Sequence, residues 1–282
     1  MTAAQLYGFF PPDFQGRYSG PVGTSPPGMP IFPPVEIEDA RALQAGAESE
    51  AAFFEAHGFV LLPHATAVRD WDRDVASLYL PEIETIIRER LLPGRRLEVQ
   101  QGPFLLRRGR DTATPFYANG VHQDYGLTPE DYAQNVGAFA GPVSEQWWRA
   151  QFERDEVAGF MAIDFWRTTN MAGPLRHMPL ALCDPTSVAP DDVIPTTLTG
   201  IAPEGRETQH LSLRFNAGQL WYHYPLMTPD ELLAFKIFQW RKGGDSSVAS
   251  CFHSAFADPE TPADAEQRQS CEHRVGVLLL KD

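Results

Sequence analysis

Only three cysteines occur in the 282 residues, Cys183, Cys251 and Cys271, and no two of them form a CxxC pair. A set so sparse and odd in number excludes a disulfide framework or a cysteine-built zinc site and suits a reducing, cytoplasmic compartment. No apolar run reaches 18 residues, so no segment reads as a membrane-spanning helix. Positive charge is also scarce. The chain has 23 lysines and arginines against 37 aspartates and glutamates, a net charge of −14. Such a surface repels phosphate backbones and anionic lipids, which excludes nucleic acid and membranes as partners. The opening Met1-Thr2-Ala3-Ala4-Gln5-Leu6 has neither the basic nor the apolar region of a signal peptide. There is no fixed-period repeat.

Hydrophobic residues make up 43% of the chain and charged residues 21%, enough for a sizeable core. Residues 1–35 hold eight prolines and five glycines among Tyr7, Phe9, Phe10, Phe14, Tyr18 and Phe32. Proline denies this stretch a helix or a central strand, while the aromatics do not suit a solvated linker. It reads as an extended arm lying on the body of the protein or on a partner subunit, a route to a homo-oligomer. Residues 36–282 then read as one domain. Its first part, 36–94, is mainly helical. One helix stops at Gly58 and another, Glu82 to Leu92 with Pro81 in its first turn, closes at Gly94, with the short strand Val60-Leu61-Leu62 between them. From residue 95 onward strands dominate: Leu97 to Arg107, Phe160 to Thr168, His210 to Phe215, Gln219 to Tyr224, Leu232 to Trp240, Val248 to Ala255 and Cys271 to Leu280. Leu232 to Trp240 is ambiguous, because Thr228-Pro229-Asp230-Glu231 also starts helices. Turns such as Asn216-Ala217-Gly218 and Gly243-Gly244-Asp245 separate strands, and 129–156 reads as an inserted helical pair. The fold class expected is mainly β with flanking helices, around a double-stranded β-helix, the cupin-like jelly roll.

His122-Gln123-Asp124 places an imidazole and a carboxylate on the same face of an extended segment. Two histidines and one carboxylate on one face of an octahedron leave three positions open, the arrangement of non-haem iron(II) oxygenases. The second histidine must come from a later strand, and His253 is the best placed, with His210 in reserve. Arg268-Gln269-Ser270 begins fifteen residues after His253. A guanidinium fork with a hydroxyl two residues on suits the distal carboxylate of 2-oxoglutarate, which would otherwise be unpaired in an apolar pocket. Arg268 is preferred as the clamp, with Arg274, of the same strand parity, as its competitor. The order HxD, His, RxS is more specific than any of its parts.

With these motifs in view, the chain resembles the gibberellin desaturase-like and cephalosporin-methoxylation (CmcJ-like) group of iron and 2-oxoglutarate oxygenases of secondary metabolism. The resemblance runs from about Phe53 to Leu280. It rests on Phe53-Phe54-Glu55-Ala56-His57-Gly58-Phe59, Val121-His122-Gln123-Asp124, Asp164-Phe165-Trp166-Arg167, Pro179-Leu180-Ala181-Leu182-Cys183-Asp184, Trp221-Tyr222-His223-Tyr224-Pro225, His253-Ser254-Ala255-Phe256-Ala257-Asp258-Pro259 and Arg268-Gln269-Ser270-Cys271-Glu272-His273-Arg274. It implies that His122, Asp124 and His253 bind iron(II), that Arg268 and Ser270 hold 2-oxoglutarate, and that O₂ is consumed in hydroxylating or desaturating a small molecule. Residues 168–178 depart from the proline-containing stretch expected after the Trp-Arg pair, so no particular substrate carries over.

The remaining residues are assigned more loosely. Trp166, Arg167 and Tyr224 are candidates for substrate contact, although pairing of Arg167 with Asp184 is the preferred use of that side chain. Tyr222 is a candidate hydrogen-bond partner of 2-oxoglutarate, against core packing. Arg107, Arg108 and Arg110 either attract an anionic substrate or form a solvated loop. His57 caps a helix end, and His64, His177 and His273 have no partner pattern. Two other functions fit parts of the pattern. An iron cupin dioxygenase that does not use 2-oxoglutarate needs the histidines but not Arg268. A non-catalytic binder on the same fold needs neither.

Overall fold

The computed structural model describes residues 1–23, 29–108, 120–244 and 249–281. Arg110, Asp245 and Val248 therefore lie outside the described residues. The proline-rich arm contributes two short strands, β1 (Thr2–Ala4) and β2 (Tyr18–Pro21). Each takes the outer place in its sheet, where proline costs the ladder least. Val35–Asp39, expected to open the helical region, is instead strand β3, which pairs with β1 on one side. Helices α1 (Ala40–Ala45) and α2 (Glu50–His57) follow. The Asp39 and Ser49 side chains accept from backbone N–H groups at their first turns, and Gly58 ends α2 in the left-handed conformation at φ 75°. Strand β4 (Phe59–Pro63) comes next. The expected helix after it is split, with α3 (Leu80–Ile86) flanked by single π-helical turns at Val75–Tyr79 and Ile87–Leu91.

Strand β5 is Leu97–Arg107, and the helical insert is α4 (Pro129–Ala140) and α5 (Pro142–Glu153). Thr128 and Asp131 close α4 with reciprocal side-chain to backbone bonds. The remaining strands are β6 (Val157–Thr168), β7 (Leu180–Cys183), β8 (Val193–Thr199), β9 (Thr208–Leu213), β10 (Trp221–His223), β11 (Glu231–Arg241), β12 (His253–Ala255) and β13 (Ser270–Leu280). The ambiguous segment is thus a strand. Thr228 to Glu231 folds as a turn, and β11 lies between β4 and β6, where two-sided burial favours an apolar strand, interrupted here only by the buried Lys236 within Leu232 to Phe238. The sequence reading missed β7 and β8. Pro195 interrupts β8, but β2 pairs only from Thr196 onward, so the proline faces no ladder on that side.

One sheet has the order β1-β3-β10-β7-β12, the second β4-β11-β6-β13-β5, and a third, smaller one β2-β8-β9. The main core joins the second sheet to α2, α3 and the helical insert. Gly276 of β13 lets the insert dock, because a Cβ there would lie 2.8 Å from the Trp148 ring and 3.0 Å from Phe160. A second core covers the arm. Phe9 packs edge-on against Phe32, Phe215 and Trp221, at 6.1, 5.5 and 5.9 Å. Within the chain, then, the arm lies on the body.

The arm also reaches the HxD segment. Val121 N donates to Tyr7 O at 2.7 Å, and Gly8, at φ 87°, lies so close that a Cβ there would sit 2.9 Å from Val121 N. Gly8→Ala meets both the strained backbone and the clash. It should lower stability by about 1–3 kcal/mol and loosen His122 with it. Thermal melting and metal titration of the variant check both effects. Unchanged metal affinity would separate the arm from the site.

Candidate metal centre

His122 sits in a short extended crossing between two sheets. Its N–H donates to His253 O at 3.2 Å and its carbonyl accepts from His253 N at 2.9 Å, while Gln123 exchanges the same pair of bonds with Leu211 of β9 at 3.0 and 3.2 Å. The two imidazoles are therefore antiparallel partners, with ring centroids 4.4 Å apart. Asp124 projects with His122. One ligand atom from each of His122, Asp124 and His253 lies within 4.8 Å of the others. Both histidines have a fixed tautomer. His122 Nδ1 lies 2.6 Å from Gly120 O and His253 Nδ1 lies 3.3 Å from Cys251 O. A carbonyl only accepts, so each Nδ1 carries the proton and each Nε2 presents a lone pair. Among the described residues Asp124 Oδ2 is buried with no hydrogen-bond partner, an acceptor left for a cation. This donor set of two neutral imidazoles and one carboxylate fits a divalent iron.

Arg274 of β13 holds the carboxylate from behind, its Nη2 lying 3.2 Å from Asp124 Oδ1 and 3.4 Å from Glu272. Burial alone would raise the Asp124 pKa. Arg274, with help from His253, His122 and His210, holds its carboxyl well below the usual carboxylate range. Burial pushes the His253 imidazole down to about 3. Asp124 is therefore ionised and His253 neutral near pH 7, the states that bind a metal. Asn135 of α4 fixes the same loop, donating to Asp124 O at 3.3 Å and Gln209 O at 2.7 Å and accepting from Gln209 N at 2.6 Å. The sequence reading did not single out Asn135, since an asparagine on an amphipathic helix normally faces water.

A small cavity opens beside the triad. Trp166, Leu180 and Phe235 form apolar wall next to His122 and His253, and Asp164 lies among them. Three arginines, Arg107, Arg268 and Arg274, complete the lining with Glu272. Strand register explains the polar side. Thr168 faces Ser270, Trp166 faces Glu272 and Asp164 faces Arg274, so alternate residues of β6 and β13 share the cavity face. Arg268 is buried, stacks 5.5 Å over Trp166 and donates to Met178 O at 2.6 Å. The hydroxyls of Ser270 and Thr168 are buried without hydrogen-bond partners among the described residues.

A family profile described as "YDMC: Oxidoreductase/YMDC permease-like domain" matches residues 32–278. The chain belongs to that family. Among curated relatives, aspirochlorine biosynthesis protein N of Aspergillus oryzae is 32% identical over 41% of this chain and 47% of its own length. The Fe(II)/2-oxoglutarate-dependent dioxygenase nvfI of Aspergillus novofumigatus is 31% identical over 42% of this chain and 41% of its own. The chain thus spans less than half of these two relatives. The hydroxylase/desaturase efuI of Hormonema carpetanum is 27% identical over 87% of this chain and 83% of its own length. Among solved structures, the iron and alpha-ketoglutarate-dependent endoperoxidase NvfI superposes with a TM-score of 0.72 at 22% identity, covering all of this chain and 98% of that one. The YDMC chain is therefore mainly β with flanking helices and shares the fold of NvfI.

Several expected contacts of this YDMC chain lie elsewhere. Arg167 alternates to the face opposite Trp166 and is wholly buried there. It donates to His64 O and Nδ1, each at 3.1 Å, and to Pro229 O, so it neither reaches the cavity nor pairs with Asp184. Asp184 instead meets His57 Nδ1 at 2.6 Å. Tyr222 packs on Phe59, 5.9 Å between centroids, and Tyr224 donates to Gln44 Oε1 at 2.5 Å; neither lines the cavity. Both belong to the main core, where they pack against Phe59 of β4. Arg107 does line the cavity but is paired with Glu272 at 2.8 Å, while Arg108 pairs with Asp72 at 2.5 Å. His210 bonds Thr208 at 2.8 Å and stays outside the triad. His273 is buried between Tyr79 and Phe104, with neither nitrogen partnered among the described residues.

Replacing His253 with alanine removes one of three side-chain ligands. Metal affinity should fall at least about 100-fold, the upper range for losing a mere outer partner. Titration with iron(II) under anaerobic conditions measures it, and full occupancy in the variant contradicts the assignment.

Proposed function

We propose that the chain is a non-haem iron(II) and 2-oxoglutarate-dependent oxygenase that hydroxylates or desaturates a small organic molecule. The observation that carries this reading is the convergence of His122, Asp124 and His253 beside a cavity walled by Arg268. The two main sheets, with the triad crossing between them, are read as a cupin-like jelly roll supported by the helices. The relatives' printed activities, a 2-oxoglutarate-dependent dioxygenase and a hydroxylase/desaturase, agree with it. No helix among the described residues is long and apolar enough to cross a membrane.

In this reading His122, Asp124 and His253 hold the iron, and Arg274 keeps Asp124 ionised and aimed. Arg268 receives the distal carboxylate of 2-oxoglutarate, assisted by the unpartnered hydroxyls of Ser270 and Thr168. Arg274 is the weaker clamp, because Asp124 and Glu272 already occupy it and would repel a further carboxylate. When bound, iron(II), 2-oxoglutarate and O₂ supply the oxidising power, with succinate and carbon dioxide as by-products. The protein's own part is to fix the ligands, clamp the cosubstrate and keep water from the reacting C–H bond with Trp166, Leu180 and Phe235. Hydroxylation is favoured over desaturation because it removes one substrate hydrogen rather than two. An iron dioxygenase that dispenses with 2-oxoglutarate would have no use for a buried Arg268 in the cavity wall.

The two arginines should separate by readout. Arg268→Ala should raise the 2-oxoglutarate requirement by roughly 30-fold or more, the equivalent of 2 kcal/mol for a lost buried charge contact, while retaining iron. Arg274→Ala should instead weaken iron binding through Asp124. Titrating iron and 2-oxoglutarate separately against succinate release tests this, and the reverse pattern reassigns the clamp.

A further inference from the structure

Asp164 is the one carboxylate of the cavity face that the proposed chemistry leaves unused. It is 3% exposed, lines the cavity, and makes no hydrogen bond among the described residues. Its register partner Arg274 turns instead to Asp124 and Glu272. Its partner on the other side, Phe235, packs edge-on against the His253 ring at 5.0 Å, so the carboxyl lies beside the metal ligands. A buried polar group without a partner costs about 1–3 kcal/mol. Its place in a cavity wall marks where a ligand atom restores the bond.

We propose that Asp164 anchors the substrate by a hydrogen bond to a hydroxyl group, so that the natural substrate is an uncharged, largely apolar alcohol. The inference rests on the oxygenase reading above. A hydroxyl both donates and accepts, so it pairs with the carboxyl in either protonation state. Burial, with Glu272 nearby, pushes that carboxyl well up from its usual range, which disfavours an ammonium partner. An ammonium would also meet the three guanidinium groups, and a carboxylate beside Asp164 would meet Glu272 as well. Trp166, Leu180 and Phe235 supply only apolar surface to the rest of the molecule. The cosubstrate's distal end does not compete for Asp164. Four residues of β6 separate Asp164 from Thr168, roughly 13 Å along the strand.

The test uses protein loaded with manganese(II) and 2-oxoglutarate, with proton relaxation of small probes reporting binding next to the paramagnetic ion. The probes are cyclohexanol, cyclohexylammonium and cyclohexanecarboxylate. Cyclohexanol should bind most tightly. Asp164→Leu should lose about tenfold in cyclohexanol affinity and the preference with it, while Asp164→Asn, whose amide still pairs with a hydroxyl, should keep most of both. The 2-oxoglutarate protons serve as the internal reference and should relax equally in all three proteins. Equal cyclohexanol affinity in wild type and Asp164→Leu, a preference for either charged probe, or loss of 2-oxoglutarate rather than cyclohexanol in Asp164→Leu overturns the proposal. Failure of manganese to relax 2-oxoglutarate even in the wild-type protein overturns the oxygenase reading itself, and this inference with it.

Discussion

A carboxylate buried at 5% exposure must have a counter-charge, and for Asp124 that is Arg274, 3.2 Å away on another sheet. Removing one partner of such a pair typically costs 3–5 kcal/mol, because the other is left buried and uncompensated. The constraint spreads outward. Arg274 also meets Glu272 at 3.4 Å, and Glu272 meets Arg107 at 2.8 Å, so alternating charges run from the HxD segment across β13 to the edge strand β5. This row explains why the first half of β13 is polar although it pairs on both sides, with β6 and β5. The strand's second half, from Val275 on, packs conventionally beneath the helical insert.

The triad itself is assembled from backbone bonds rather than from loops that must find one another. His122 and His253 exchange both bonds of an antiparallel pair, Gln123 does the same with Leu211, and the arm closes the remaining side at Tyr7. Three chain segments far apart in sequence thus brace the ligands before any ion arrives. Preorganisation of this kind lets binding energy go into the metal contacts instead of ordering the chain. The cavity beyond combines a guanidinium-lined end with an apolar wall, a division that matches one charged cosubstrate and one apolar partner.

Much of this was legible in the sequence. The ligand spacing depends on strand parity alone, so His122 and Asp124 could be paired without knowing the sheet order, while Arg268 was singled out by its RxS spacing after His253 and lies in the cavity wall. Leu97 to Arg107, the helical insert and β13 were recognisable from their own composition. Parity could not say which face of a strand meets the cavity, so Arg167, expected to pair with Asp184 or else to contact substrate, is found on the face opposite Trp166, bonded to His64 and Pro229. Tyr222 and Tyr224, at and just after the end of β10, pack into the main core beside Phe59 and do not line the cavity. Strands β3, β7 and β8 are short or carry proline and charge, and their pairing comes from distant partners that no local window contains. Asn135, Thr168 and Asp164 are polar residues whose importance comes from burial, a property of the tertiary fold.

The most direct test of the central claim is iron K-edge X-ray absorption of protein loaded anaerobically with iron(II), before and after addition of 2-oxoglutarate. The account predicts a light-atom shell with the outer scattering of two imidazoles, and a change in that shell when 2-oxoglutarate displaces solvent oxygens. A sulfur shell, scattering from fewer or more than two imidazoles, or a spectrum indifferent to 2-oxoglutarate would contradict it.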